Sequence, residues 1–182
     1  MIAAEDIRAA VDAYLRRHPD ERDRLAPLTS TLVAGGELTS RMTYTGHVTC
    51  SAIVVNTVGH VLHIRHNALG RWLRPGGHLE ADDASLTSGA VREVAEETGI
   101  PATALRLVDE VPVDVDVHPI PANPANGEPD HQHFDLRYAF TTTARDVALQ
   151  TEEVHDFTWL PAAEIEPAWL AERVTRIVAS SA

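Results

Sequence analysis

Cysteine is almost missing from this sequence: Cys50 stands alone among 182 residues. That excludes an internal disulfide and a cysteine-based structural zinc site, and a reducing cytoplasm is the expected compartment. Long apolar runs are missing as well, and nothing approaches the roughly 18 consecutive apolar residues of a membrane span. The opening MIAAEDIRAAVDAYLRRHPD has acids near its start and no apolar h-region, so no secretory signal is expected. Positive charge is scarce. Fifteen Lys and Arg face 27 Asp and Glu, the net charge is −12, and no basic run occurs. Duplex nucleic acid is therefore excluded as the main partner, because binding a phosphate backbone needs clustered cations. An acidic chain that handles anionic phosphates needs metal ions between itself and its substrate. What is present, 44% apolar and 23% charged residues, is close to globular averages and suits one packed domain with a small appendage.

Residues 4–17 place Ile7, Ala10, Val11, Tyr14 and Leu15 at helical spacing, predicting an amphipathic helix that His18-Pro19-Asp20 ends. The Thr-, Ser- and Gly-rich segment 28–46 reads as a connection. The expected division is thus an N-terminal helix and linker, 1–46, and a main domain, 47–182. Strands are predicted over 48–55, 61–65, 72–74, 105–118, 131–142 and 157–160, and helices over 85–98 and 167–179. Pro75-Gly76-Gly77 reads as a turn, and the four prolines within 119–130 mark a long loop. Strands interleaved with two well-marked helices predict an α/β fold around a mixed sheet.

The chemistry concentrates in Arg92-Glu93-Val94-Ala95-Glu96-Glu97-Thr98-Gly99-Ile100. On a helix Glu93, Glu96 and Glu97 stand at i, i+3 and i+4, so three carboxylates share one face. Like charges at that spacing oppose the helix unless a cation neutralises them, and oxygen ligands suit Mg²⁺ or Mn²⁺. Arg92 is placed to brace Glu96 from the flank, while Leu86, Ala90 and Val94 form the apolar side that seats the helix. Upstream, the paired glycines Gly76 and Gly77 let the backbone bend sharply and bring a carbonyl close to a cation.

This combination resembles the Nudix hydrolase family, whose signature reads G-x5-E-x7-R-E-U-x-E-E-x-G-U, with U aliphatic. Gly77 opens the pattern and Arg92 to Ile100 close it without mismatch. The middle departs: Asp83 stands in place of the first glutamate, and eight residues rather than seven separate it from Arg92. The resemblance implies an α/β/α sandwich over about 47–179, with the N-terminal helix as an extension. It implies hydrolysis of a pyrophosphate linkage in a nucleoside diphosphate derivative, with metal ions held by Glu93, Glu96, Glu97 and a backbone carbonyl near Gly77. The general base is implied to be Glu93 or a carboxylate in a distant loop, for which Glu152 and Glu153 are the candidates. A nucleotide-sensing module of the same fold without turnover is the alternative, and an isomerase would need a catalytic cysteine, whereas Cys50 sits on an apolar strand.

Further residues are weighed beside that core. Arg65, Arg71 and Arg74 flank the strand entering the glycine turn, and Arg65 and Arg74 are candidates to grip substrate phosphates. Trp72 has two readings, packing in the core or stacking on a base. Strict alternation puts His131, His133, Asp135 and Arg137 on one strand face, opposite Phe134, Leu136 and Tyr138. Those four polar residues are expected to line the substrate site, joined by Asp116 and His118 if the strands pair. Two histidines near an aspartate would also suit a second cation. Asp83, out of phase by one residue, is expected to cap or electrostatically support the glutamate helix rather than bind metal. The N-terminal helix is open to three uses, as a homodimer arm, a lid or packing.

Overall fold

An apolar stripe recurring every three to four residues builds the first helix, α1 (Ala4–Arg17), and buries Ile7, Val11, Tyr14 and Leu15. The structure, a computed structural model, describes residues 2–181 except 68, 126, 151 and 153. The expected stop is where the sequence puts it: the His18 N–H bonds the Tyr14 carbonyl and Pro19 opens a 3₁₀ turn. A second helix, α2 (Ala26–Ala34), overlaps the segment read as a connection. Pro27 suits its first turn, Leu28 and Leu32 are buried one turn apart, and the Thr29 and Thr31 hydroxyls donate back to the carbonyls of Ala26 and Pro27. An apolar pair and local hydroxyl bonds thus override a composition that suggests a linker.

The strands follow as β1 (His47–Val55), β2 (His60–His66), β3 (Arg71–Leu73), β4 (Gly76–His78), β5 (Leu105–Leu107), β6 (Asp114–Ile120), β7 (His131–Thr142) and β8 (Val154–Pro161), with α3 (Leu86–Thr98) after β4 and α4 (Ala168–Ser181) last. The centre is a parallel pair, β1 and β7, in register from His47 opposite His133 to Val55 opposite Thr141. The other edge of β1 is shared. Antiparallel β2 joins it at Val55, and β4 joins it from Thr49 to Ser51. The supposed glycine turn is therefore a short strand. Outward of β2 lie β3 and β8.

One expected strand, 105–118, is two. Both β5 and β6 pair antiparallel with β7, end to end, while residues 109–112 leave the ladder between the bonds Val108 N–H to Ala139 O and Val113 N–H to Arg137 O. Pro112 has no N–H to offer a neighbour. Asp109 accepts the Val111 N–H at 2.9 Å and pairs with Arg17 of α1.

Alternation on β1 divides the core between two layers. Val48, Cys50, Ala52 and Val54 pack with Leu86, Ala90 and Val94 of α3 and with Phe134, Leu136 and Tyr138. Ile53 and Val55 pack from the other face with Leu170, Ala171 and Val174 of α4. The result is an α/β sandwich on a mixed sheet, with helices on both faces. Ile7, Val11, Leu28 and Leu32 belong to the same buried cluster as Val48 and Cys50, so the apolar side of α1 packs within the chain. Among the described residues no helix is long and apolar enough to cross a membrane.

Candidate active site

The start of α3 is set by Ser85, whose hydroxyl accepts the Ser88 N–H at 3.0 Å while Ser88 accepts the Ser85 N–H at 2.8 Å. Its end is set by Gly99 in the left-handed region, φ 66°. Between them the glutamates face β4. The Gly76 N–H donates to Glu97 Oε2 at 3.0 Å, and Glu97 is buried. At Gly77 a Cβ would stand 2.6 Å from Glu93 Oε1, so only glycine lets that carboxylate lie against the strand. Glu96 is the outer member, its side chain 53% exposed.

Arg92 organises this group. It donates to Glu93 Oε1 at 3.0 Å, Glu96 Oε2 at 2.8 Å and the His78 carbonyl at 2.8 Å. Its other edge meets Asp83, with both contacts at 3.2 Å. Burial opposes its charge, but the bonds to Asp83 and the nearby Glu93 outweigh that and push its pKa up. Asp83 is itself buried and accepts the Glu80 N–H at 2.8 Å. It is therefore a brace for Arg92, and the helix cap expected of it belongs to Ser85.

The polar face of β7 is not a solvent face. Asp135 and Arg137 are only 5% and 8% exposed, and His131 is 9% exposed. Asp116 and His118 do pair alongside, opposite Asp135 and His133. Arg137 reaches Asp114, Asp116 and Asp135 at 2.8, 2.8 and 2.9 Å. Asp135 also accepts from Ser51 at 2.8 Å and from Thr49 at 3.3 Å. Asp135 and Arg137 thus hold each other and their neighbouring strands. Arg74 lies close to this network. Burial and the like charge of Arg137 press its pKa down to about 10, and it donates to the Glu166 carbonyl at 3.4 Å. Among the described residues it makes no ion pair. Arg65 stands elsewhere, exposed on β2 with its guanidinium 5.9 Å from the ring of Trp72. Trp72 is 41% exposed, so the core reading of that residue is set aside. Cys50 is fully buried, which raises its thiol pKa and removes it from nucleophilic chemistry.

The loop before β8 reaches the end of α3: Ala148 N–H bonds the Thr98 carbonyl at 2.8 Å and Gln150 N–H the Glu97 carbonyl at 3.2 Å. Glu152 is exposed on that loop, its carbonyl accepting from Asn67 at 3.0 Å. Glu153 lies outside the described residues.

At the open end of the same sheet face, His47, His78, His131 and His133 come together. The Nε2 atoms of His47 and His78 are 3.1 Å apart, and those of His131 and His133 are 3.3 Å apart. Burial pushes His47 down, holds His78 at about 4 and His133 at about 3, with the neighbouring imidazoles adding to the effect. Sequence reasoning found the β7 pair and missed His47 and His78. The signal was the alternation of His47, Thr49 and Ser51 against Val48, Cys50 and Ala52 on a strand read as simply apolar.

Residues 45–180 match the family model described as NUDIX domain. The chain belongs to the NUDIX family. Among similar curated proteins, a "Probable DHNTP pyrophosphohydrolase" of Lactococcus lactis subsp. cremoris is 35% identical over 86 residues, 47% of this chain and 49% of that protein. "Phosphatase NudJ" of Escherichia coli K12 is 47% identical over 58 residues, 31% of this chain and 37% of that protein. The match thus spans about half the length of the first and about a third of the second. Solved structures show the fold. A NUDIX-family hydrolase from Clostridium perfringens superposes with a TM-score of 0.56 at 18% identity, covering 75% of this chain and 98% of the other. A C. elegans Ap4A hydrolase superposes with a TM-score of 0.57 at 16% identity, covering 73% and 98%. Asp83, Glu93, Glu96 and Glu97 all lie within the matched residues.

Proposed function

We propose that this NUDIX chain is a divalent-metal-dependent hydrolase of a pyrophosphate linkage in a nucleoside diphosphate derivative. The observation that carries the reading is the meeting of three α3 carboxylates with the β4 glycines. Glu93 lies against Gly77, Glu97 is tied to Gly76, and Arg92 bridges Glu93 and Glu96. Carboxylate and backbone oxygens are the donors a hard divalent cation prefers, so the set fits Mg²⁺ or Mn²⁺. Glu93, Glu96, Glu97 and the backbone at Gly77 would hold it. Bound there, such an ion neutralises the diphosphate, polarises phosphorus and lowers the pKa of the attacking water.

The chain's own residues supply the rest. Arg92 holds Glu93 and Glu96 beside β4 and is itself steadied by Asp83. Glu93, which lies against Gly77, takes the proton of the water as it adds to phosphorus and the anhydride P–O bond breaks; Glu152 and Glu153 are the alternatives. Arg74 makes no ion pair among the described residues and lies beside a buried acidic network, and it is the group we assign to substrate phosphate. Arg65 with Trp72 offers a second, outer contact. The Asp135–Arg137 pair contributes by holding the sheet face rigid beneath. The names of the Lactococcus and E. coli relatives, a pyrophosphohydrolase and a phosphatase, accord with this reading.

The test is a panel of nucleoside diphosphate sugars, dinucleoside polyphosphates and nucleoside triphosphates incubated in Mg²⁺ or Mn²⁺, with products identified by mass spectrometry. Cleavage at a pyrophosphate bond that stops on chelation is expected. Nucleotide binding without turnover across the panel in either metal would make the chain a sensing module instead.

A further inference from the structure

We propose that His47, His78 and His133, with His131 alongside, form a site for a zinc-class divalent cation, distinct from the helix glutamates. Strands β1, β4 and β7 each contribute, so the cluster exists only in the folded sheet. The ligand atoms of His47, His78 and His133 lie within 4.8 Å of one another. Imidazoles that share one tetrahedral ion, at Zn–N of about 2.0–2.1 Å, have nitrogens about 3.3 Å apart and ring centres about 5 Å apart. Here the paired Nε2 atoms are 3.1 and 3.3 Å apart. Ring centres are 4.7 Å apart for His47–His133, 4.9 Å for His47–His131, 5.0 Å for both His47–His78 and His78–His133, and 5.2 Å for His131–His133. Two N–H···N hydrogen bonds would account for the two short contacts but not for the mutual spacing of the His47, His78 and His133 rings, 4.7, 5.0 and 5.0 Å.

The outer nitrogens agree. His131 Nδ1 lies 2.9 Å from the Pro129 carbonyl, and His47 Nδ1 lies 3.4 Å from the Thr43 carbonyl. A carbonyl accepts only, so both rings carry their proton on Nδ1 and turn the Nε2 lone pair toward the cluster. Metal-bound histidines are typically oriented in this way. Imidazole nitrogen suits zinc and its borderline neighbours and suits Mg²⁺ poorly. The aspartate expected to complete a histidine pair is engaged by Arg137, Ser51 and Thr49. Two more histidines take its place. An ion here would pin β4 to β1 and β7 one residue beyond Gly77, where the His78 carbonyl accepts from Arg92.

The experiment uses the full chain, stripped with a chelator and then dialysed against Zn²⁺ in excess Mg²⁺. The expected result is about one zinc retained per chain, a nitrogen shell with imidazole scattering in X-ray absorption, and a tetrahedral visible spectrum with Co²⁺. His47→Ala and His133→Ala should lose the ion, and Glu97→Gln should keep it. A wild-type chain that retains no zinc, or an oxygen shell around it, overturns the proposal. So does zinc that survives both histidine substitutions or is lost with Glu97→Gln. If the histidine variants fold poorly, the wild-type absorption spectrum alone decides.

Discussion

At the scale of single residues the site is a set of carboxylates whose differing surroundings decide their tasks. Glu97 is 3% exposed and anchored by a backbone N–H, whereas Glu96 reaches solvent and is held from one side by Arg92. Asp83 has the charge of a ligand but spends both oxygens on Arg92 and a main-chain amide. Glu97→Gln keeps an oxygen able to accept the Gly76 N–H, so the fold should survive. Losing the charge should cost about 10²–10³ in kcat, the usual loss when a transition-state stabiliser is removed. Kinetics in saturating metal, with circular dichroism as the folding control, make the measurement. Full activity would remove the helix glutamates from the mechanism.

At the scale of elements the decisive unit is β4 with α3, and its two glycines have different jobs. A Cβ at Gly76 would stand 2.6 Å from the Ser51 Cα and 2.7 Å from the Cys50 carbonyl, both main-chain atoms of β1. At Gly77 the obstacle is the end of the Glu93 side chain, which can swing aside. Gly76→Ala should therefore destabilise the protein by about 1–3 kcal/mol, the cost of forcing atoms into a packed region. Gly77→Ala should leave Tm nearly unchanged and depress kcat by displacing Glu93. Thermal melts and kinetics on the pair would show the opposite pattern if β4 did not lie on β1 as found. Local pattern was enough for α1, β7 and α3. It failed for β4, whose Gly-Gly-His has no strand propensity and pairs only because β1 leaves an edge free there.

At the scale of the whole molecule, all fifteen Lys and Arg positions are arginine, and Arg24 and Arg173 act as struts between layers. Glu21, just after α1, takes hydrogen bonds from Tyr14, Arg24 and Arg173, the last on α4. Arg24 also reaches the buried Asp114 of β6 at 3.2 Å. Burial pushes the Glu21 carboxyl up, but those bonds outweigh it and bring it from 4.5 down to about 2. A carboxyl lowered in the folded state adds stability above its unfolded pKa and loses that stability as the pH falls through the folded one. The wild type should therefore lose stability from about pH 4.5 toward pH 2. Glu21→Gln should melt lower at pH 7 yet lose less on acidification over the same range. Melts across that range test it, and parallel curves for the two proteins would contradict the assignment.

The glutamate motif, the amphipathic first helix and the two-faced strand β7 were determined by the sequence alone, because each depends on spacing within one element. A helix puts Glu93, Glu96 and Glu97 together whatever surrounds it, and a strand separates His133 from Phe134 in the same way. Only the tertiary structure decided that Asp83 serves Arg92, that Arg137 is consumed by three aspartates, and that His47, His78 and His133 meet. The first joins a connection to the helix that follows it, and the other two join neighbouring strands through the register of a sheet. The pairing of β1 beside β7, His47 opposite His133, is set by packing of the whole domain, and no single strand carries it.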